Sequence, residues 1–592
     1  MHDLLIINGT IVDGSGGEPF VGDVAVTGSR ITGVGTPGSQ GTEAHETIDA
    51  TGLLITPGFV DIHSHYDGQV TWDPYLTPSC YHGVTTVVMG NCGVGFAPVA
   101  PNKRQWLSEL MEGVEDIPGT ALTAGMKWGW ETFPEYIDFI DSLPHVMDIG
   151  TQIAHAPVRA YVMGERGADN ETATPDDIAQ MAAIVKEAVA AGALGFSTSR
   201  TMLHHALDGT PVPGTFATED ELFGIGGALR ELGAGLFEVS PAGVAGEDDE
   251  SLPHEVEWMH KLSKAINRPV TFGMTQGNTD TMLYRRILEA TAAAAADGAT
   301  VIAQVAGRAS GLLFGMDTTY HAFKGRPTWE AMAGLTAEQK LARMHDPAVR
   351  EAILDEQPAN ASMSLLDRMS DRIWPLSDTL DYEPPLETSV GAIAKRTERS
   401  GADVLYDMIL ERPADALFTI PINNYAHNTF DALHEMITHP QAVLGLADGG
   451  AHVAIICDAS IPTSMLTHWT RDRTRGPKLP LPFVVKRQTR DTAELYGLLD
   501  RGLLREGFKA DINIIDYENL RLRMPEMAYD LPGDARRLVQ KADGYVATIV
   551  SGAVVSRNGE FTGELPGRVL RGAQPLPAEE RVPIGEASQA RA

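Results

Sequence analysis

Cysteine is scarce in this chain of 592 residues, with only Cys80, Cys92 and Cys457. So few thiols exclude a disulfide framework, and the expected setting is the reducing cytoplasm. Positive charge is also short: 46 Lys and Arg against 79 Asp and Glu give a formal net charge of −33. A field of that sign argues against nucleic acid or an anionic membrane surface as partner. No run of about 18 apolar residues occurs, so no membrane-spanning helix is expected. The first residues carry no basic stretch ahead of an apolar core, so no secretory signal peptide is expected. Internal repeats, coiled-coil heptads and a Gly-rich phosphate loop are absent as well. What remains is a globular chain whose expected partner is a small-molecule substrate, with homo-oligomerisation left open.

Apolar residues make up 43% and charged residues 21%, enough to bury a large core. Residues 1–56 read as short β-prone runs broken by Gly, Asp and Ser. The far end supplies matching runs at Asp511–Asp516 and Tyr545–Val550, and a hairpin signal at Asn558-Gly559. The two termini are expected to form one small β-sandwich (1–56 with 500–575). Between them, short apolar runs alternate with helical stretches, the pattern of parallel β/α architecture. Eight strands are predicted: Phe59–Ile62, Val84–Met89, Asp148–Ala154, Ala193–Ser197, Gly235–Ser240, Val270–Met274, Thr300–Ala306 and Val443–Ala447. The fold class is therefore α/β, a (β/α)8 TIM-type barrel over 57–499, with its chemistry at the C-terminal strand ends. The long stretch 307–442 before the last strand exceeds any ordinary loop and reads as an inserted subdomain or lid.

The barrel reading yields candidate residues. His63 and His65 stand two apart at the end of an apolar strand, so both imidazoles point the same way, as a metal site requires. Cys92 ends strand two, where a buried core thiol is the plain alternative. Asp448 ends strand eight ahead of two glycines, with His452 four residues on. An acid there can bind a metal or take a proton from water. Glu238 and Ser240 share one face of strand five. His155 follows strand three, as a structural or a substrate-binding histidine. Arg200 and Arg308 follow strands four and seven, each suited to a substrate carboxylate or to an internal ion pair. For His204-His205 a surface loop is expected unless that loop folds over the site.

These motifs together resemble the amidohydrolase superfamily, and most nearly the N-acyl-D-amino-acid deacylases (D-aminoacylases). The resemblance runs through NGTIVDGSG, PGFVDIHSHYD, GVTTVVMGNCG, HAPVRAYVMG, GALGFSTS, GLADGGAH and TAELYGLLDRGLLREGFKADINIID. It implies a β-sandwich flanking a (β/α)8 barrel that binds zinc. It also implies His63, His65 and Cys92 as metal ligands, and Asp448 as general base and later acid in amide hydrolysis. The chain departs from that pattern at three places. Ser240 stands where strand five would end in His, Met274 where strand six would, and Gln276 where a Lys would meet a substrate carboxylate. One zinc is therefore expected rather than two, held by His63, His65 and Asp448 and completed by Cys92 or Glu238. The expected reaction is hydrolysis of a C–N amide bond in an N-acyl amino acid or related N-acyl compound. A lactone, cyclic amide or deaminase-type substrate is the enzymatic alternative, and a non-catalytic binding barrel the other.

Overall fold

The structure is a computed structural model and describes residues 1–358, 369–377 and 379–577. Its centre is a set of parallel strands, buried on both faces. Strands one to three pair in the order Phe59–Asp61, Val84–Met89, Asp148–Thr151. Strand three resumes after Gln152 as Ile153–Ala154. It then pairs onward through Gly195–Ser199, Leu236–Ser240, Val270–Gly273, Val301–Val305 and Ala442–Leu444. At the far edge, Ser64 of strand one forms a parallel bridge with Gly449, just beyond strand eight. Strand four lies two residues later than its apolar run suggests, and strand eight is shorter. Leu446 and Asp448 both have positive φ, which ends extended backbone there.

Local chemistry fixes the helices between strands. Thr174 caps the helix Pro175–Ala191 in a reciprocal capping box with Asp177. Proline at the first helical position lacks only a donor that would be unpaired anyway. Thr218 caps Glu219–Leu232 through the Glu221 amide, and Gly233 in the left-handed region ends it.

The two ends of the chain meet in a single nine-stranded sheet. His2–Ile11, Phe20–Thr27, Arg30–Gly35, Ala44–Asp49 and Leu54–Pro57 come from the N-terminal side; Ile512–Ile515, Tyr545–Val550, Ala553–Arg557 and Glu560–Phe561 come from the C-terminal side. Leu54–Pro57 and Ile512–Ile515 are the antiparallel pair that joins the two sets. Asn558 and Gly559 both take positive φ at the tip of the last hairpin, as a tight two-residue turn demands. The stretch before strand eight holds its own three-stranded sheet, Gly311–Phe314, Phe418–Pro421 and Trp374–Pro375, over a separate apolar core.

A buried ion cluster ties the C-terminal segment to the base of the parallel strands. Arg501 donates to Asp148 at 2.8 Å, to Asp500 at 3.0 Å and to Thr86 at 2.9 Å. Lys509 lies 3.0 Å from Asp148 and 2.7 Å from Asp511. Removing one member leaves uncompensated buried charge, which costs about 3–5 kcal/mol. Arg501→Met is therefore expected to lower unfolding free energy by about that amount in a urea titration. A loss under about 1 kcal/mol would show that the cluster does not hold the two parts together.

Candidate metal centre

The GNCG turn after strand two sets the position of Cys92. Gly90 has φ +78, and a Cβ there would lie 2.3 Å from the carbonyl oxygen of Gln152. Gly93 has φ +68, and a Cβ there would meet the Ser199 amide nitrogen at 2.6 Å. Only glycine lets this turn press against strands three and four. Cys92 itself is left-handed, φ +55. Its amide donates to Oε2 of Glu238 at 2.9 Å, so the strand-five carboxylate braces the turn from below.

Strand one delivers the histidines. His63, His65 and Cys92 are all buried, and their ligand atoms lie within 4.8 Å of one another. Cys92 Sγ is 3.3 Å from Nε2 of His63. The other nitrogen of His63, Nδ1, is 2.9 Å from the side-chain oxygen of Gln304. A carbonyl oxygen only accepts, so Nδ1 carries the proton and the Nε2 lone pair faces the thiol. Burial lowers the His63 pKa to about 4, so this imidazole is neutral at physiological pH. Burial pushes the Cys92 thiol well above its usual range, and the Glu238, Glu115 and Asp448 carboxylates add to the effect. A divalent cation would relieve that cost, because it binds thiolate.

Asp448 closes the cluster from strand eight. Its Oδ1 is 3.5 Å from Nε2 of His63 and 3.8 Å from Nε2 of His65. Its amide donates to the carbonyl of His63, and the His65 amide to the carbonyl of Gly449. The Asp448 side chain is 23% exposed, whereas both histidines are 2% exposed, so the acid faces the open side. Burial raises its pKa to about 6, partly offset by His452. Glu238 is raised to about 8 by burial first and Asp448 second, and its Oε1 has no hydrogen-bond partner among the described residues.

Other residues singled out from sequence are engaged elsewhere. His155 is fully buried, 2.9 Å from Thr198 Oγ1 and 3.0 Å from Glu221. Arg200 is spent on Glu255 at 3.0 Å and the Ala217 carbonyl at 2.8 Å. Arg308 pairs with Asp458 at 3.0 Å and stacks on Tyr382, its guanidinium 3.9 Å from the ring centre. The Gln276 backbone N–H donates to the Asn424 side-chain oxygen at 2.7 Å and its backbone carbonyl accepts the Asn424 N–H at 2.9 Å, while its side chain donates to the Thr281 carbonyl at 3.1 Å and accepts the Ala426 N–H at 3.2 Å. The end of strand six thus holds Asn424 of the 307–442 segment. His204, expected on a surface loop, is half-buried and bonds Ser199 Oγ at 2.9 Å. Its charged form is disfavoured first by burial and then by His452 and His63.

Glu115 escaped the sequence reading. It ends the helix Arg104–Glu115, is 2% exposed, and lies 3.3 Å from His65 Nδ1 and 3.7 Å from His452 Nε2. Nothing in its neighbours marks it. The one available signal is the length of the 90–147 connection, which leaves chain to cover the strand ends.

The family comparison adds to this geometry. The amidohydrolase family model matches residues 46–556, and the chain belongs to that family of hydrolases acting on carbon–nitrogen bonds other than peptide bonds. It is 25% identical to the D-aminoacylase of Alcaligenes xylosoxydans xylosoxydans over 572 residues, 96% of this chain and 97% of that protein. A crystal structure of D-aminoacylase superposes with a TM-score of 0.64 at 22% identity, over 96% of this chain and 100% of that one. The N-acyl-D-glutamate deacylase of Bordetella bronchiseptica, complexed with zinc and a phosphonate inhibitor, gives 0.63 at 20%, over 96% and 99%. Among the described residues no helix is long and apolar enough to cross a membrane.

The His155 network predicts a pH dependence. Burial alone would raise the Glu221 carboxyl, but His155 and Arg159 outweigh it and hold the pKa at about 2, below the ordinary 4.5. A depressed carboxylate stabilises the fold above its unfolded pKa and loses that contribution as pH falls toward the folded one. Glu221→Gln should cost on the order of 2–3 kcal/mol at pH 7. The gap from wild type should shrink below pH 4.5. Denaturant titrations across pH check this, and a pH-independent gap would contradict it.

Proposed function

We propose that this protein hydrolyses the C–N amide bond of an N-acyl amino acid or related N-acyl compound at a divalent-metal site. The carrying observation is the convergence of His63, His65 and Cys92 ligand atoms within 4.8 Å, with Asp448 beside both imidazoles. Two neutral nitrogens, a sulfur and a carboxylate suit zinc. The partnerless Oε1 of Glu238 below Cys92 supports the same fit. One metal rather than two is our reading, because Ser240 and Met274 offer no imidazole from strands five and six. Bound zinc supplies Lewis-acid polarisation of the substrate carbonyl and lowers the pKa of water.

The chain's own residues do the rest. His63 presents Nε2 because Gln304 holds the proton on Nδ1. Asp448, with a pKa of about 6, is ionised at pH 7 and placed on the open side. It accepts a proton from the attacking water at a carboxylate oxygen, then returns it to the departing amine nitrogen. The left-handed backbone at Asp448 and His452, φ +47 and +49, turns both side chains at the mouth. His155, Arg200 and Arg308 are assigned structural positions on their contacts, and His452 remains the residue for substrate contact. Since the Gln276 side chain is taken up by the Thr281 carbonyl and the Ala426 amide, the substrate class extends to N-acyl compounds without a carboxylate.

The architectural reading is of the same kind. The Ser64–Gly449 bridge supports closure of the parallel strands into one (β/α)8 barrel over 57–499, with 307–442 inserted as a lid or subdomain. We read the terminal sheet, from 1–56 and 500–575, as the small sandwich expected of the two chain ends.

The test is hydrolysis of a panel of N-acyl-D-amino acids, N-acyl-L-amino acids and N-acyl amines by zinc-loaded protein. Asp448→Asn should lower kcat by about 10²–10⁴-fold with an unchanged melting temperature. Near-normal turnover in that variant removes Asp448 from the base role. Failure of the loaded wild type on every amide overturns the reading.

A further inference from the structure

We propose that Glu115 is a positioning residue for the metal centre, fixing the orientation of His65 and anchoring the strand-eight loop through His452. The inference rests on the proposed metal site and names a residue that its ligand set does not include.

His65 turns two different nitrogens to two different acids. Nε2 faces Asp448 at 3.8 Å on the side of His63 and Cys92, so this is the nitrogen available to a metal. Nδ1 faces Oε1 of Glu115 at 3.3 Å. The two atoms are at contact distance but not aligned as a hydrogen bond. Both are buried, and neither has another hydrogen-bond partner in the described residues. A buried donor and a buried acceptor left unmade each carry a desolvation cost. With Glu115 as its acceptor, Nδ1 holds the proton and Nε2 keeps its lone pair for the metal. Gln304 does the same for His63 with a neutral amide. The two ligands of strand one are thus backed differently, one by an amide oxygen and one by a carboxyl group.

Glu115 also reaches the other side of the mouth. Its Oε2 is 3.7 Å from Nε2 of His452, and its backbone carbonyl accepts the His452 amide. The end of helix Arg104–Glu115, from the strand-two connection, is thereby joined at two points to the loop carrying Asp448. Val453 in that same loop packs with Ala121 and Leu531, so the join has apolar support beneath it. A surface-facing acid would need none of these contacts; Glu115 is 2% exposed.

The test is zinc affinity by competition with a chromophoric chelator at pH 7.5, on wild type, E115A and E115Q, with metal-free melting curves as the folding control. Wild type should bind zinc. E115A should bind about 10–100-fold more weakly, the size usual for losing a ligand's backing group. E115Q keeps an acceptor of nearly the same shape, so its loss should be smaller, roughly three- to tenfold. A purely structural Glu115 would lower the melting temperature and leave the affinity of folded protein alone. Folded E115A with wild-type affinity overturns the proposal. If E115A does not fold, E115Q decides: a threefold or larger loss supports the role and an unchanged affinity overturns it. Wild type that takes up no zinc would overturn the proposed metal site itself, a different outcome from intact wild-type binding with unaffected variants.

Discussion

Two backbone hydrogen bonds hold the strand-one histidines against the end of strand eight. The Asp448 amide donates to the carbonyl of His63 at 3.1 Å, and the His65 amide to the carbonyl of Gly449 at 2.7 Å. Everything at the candidate centre depends on this short ladder. It sets two imidazoles and a carboxylate in register before any side-chain interaction is made. Strand alternation then puts His63 and His65 on one side and Ser64 on the other, where its hydroxyl bonds the Val88 carbonyl at 2.9 Å. Gly449 and Gly450 are required beside it, because a Cβ at either would strike Tyr66 or the His65 backbone within 3.0 Å.

The centre is built asymmetrically around the strand ends. Strands one, two and eight bring His63, His65, Cys92 and Asp448 together. Strand five contributes a carboxylate that braces the Cys92 turn, Gln276 after strand six holds Asn424 of the 307–442 segment, and Arg308 at the start of that segment pairs with Asp458 and stacks on Tyr382. The cost of so many buried carboxylates is visible in their raised pKa values, about 8 for Glu238 and about 7 for Asp61 and Asp67. Close-set acids held in a dry site favour a cation among them over water.

Much of this was legible in sequence because it rests on short periods. Apolar runs ending at His63, Cys92 and Ser240 mark strands, and the convergence of His63 with His65 follows from a period of two. Thr174, Pro175 and Gly192 mark a helix end to end. What could not be read depends on partners distant in the chain. Arg200 and Arg308 announce a charge but not its mate, and Glu255 and Asp458 are supplied by the fold. The strands Gly311–Phe314 and Phe418–Pro421 pair across more than a hundred residues, and neither alternates cleanly enough to declare itself. Glu115 is the clearest case: an acid at the end of an amphipathic helix reads as solvated until the helix is laid over the strand ends. His204 is similar, since its partner, the Ser199 hydroxyl at 2.9 Å, is supplied by the end of strand four.

The central claim is that His63, His65 and Cys92 hold one divalent metal. X-ray absorption at the zinc edge of the purified, zinc-loaded protein tests it directly. The account predicts a first shell with one sulfur at about 2.3 Å and the remaining nitrogen and oxygen ligands at about 2.0–2.2 Å. A shell of nitrogen and oxygen alone, with no sulfur, would contradict it.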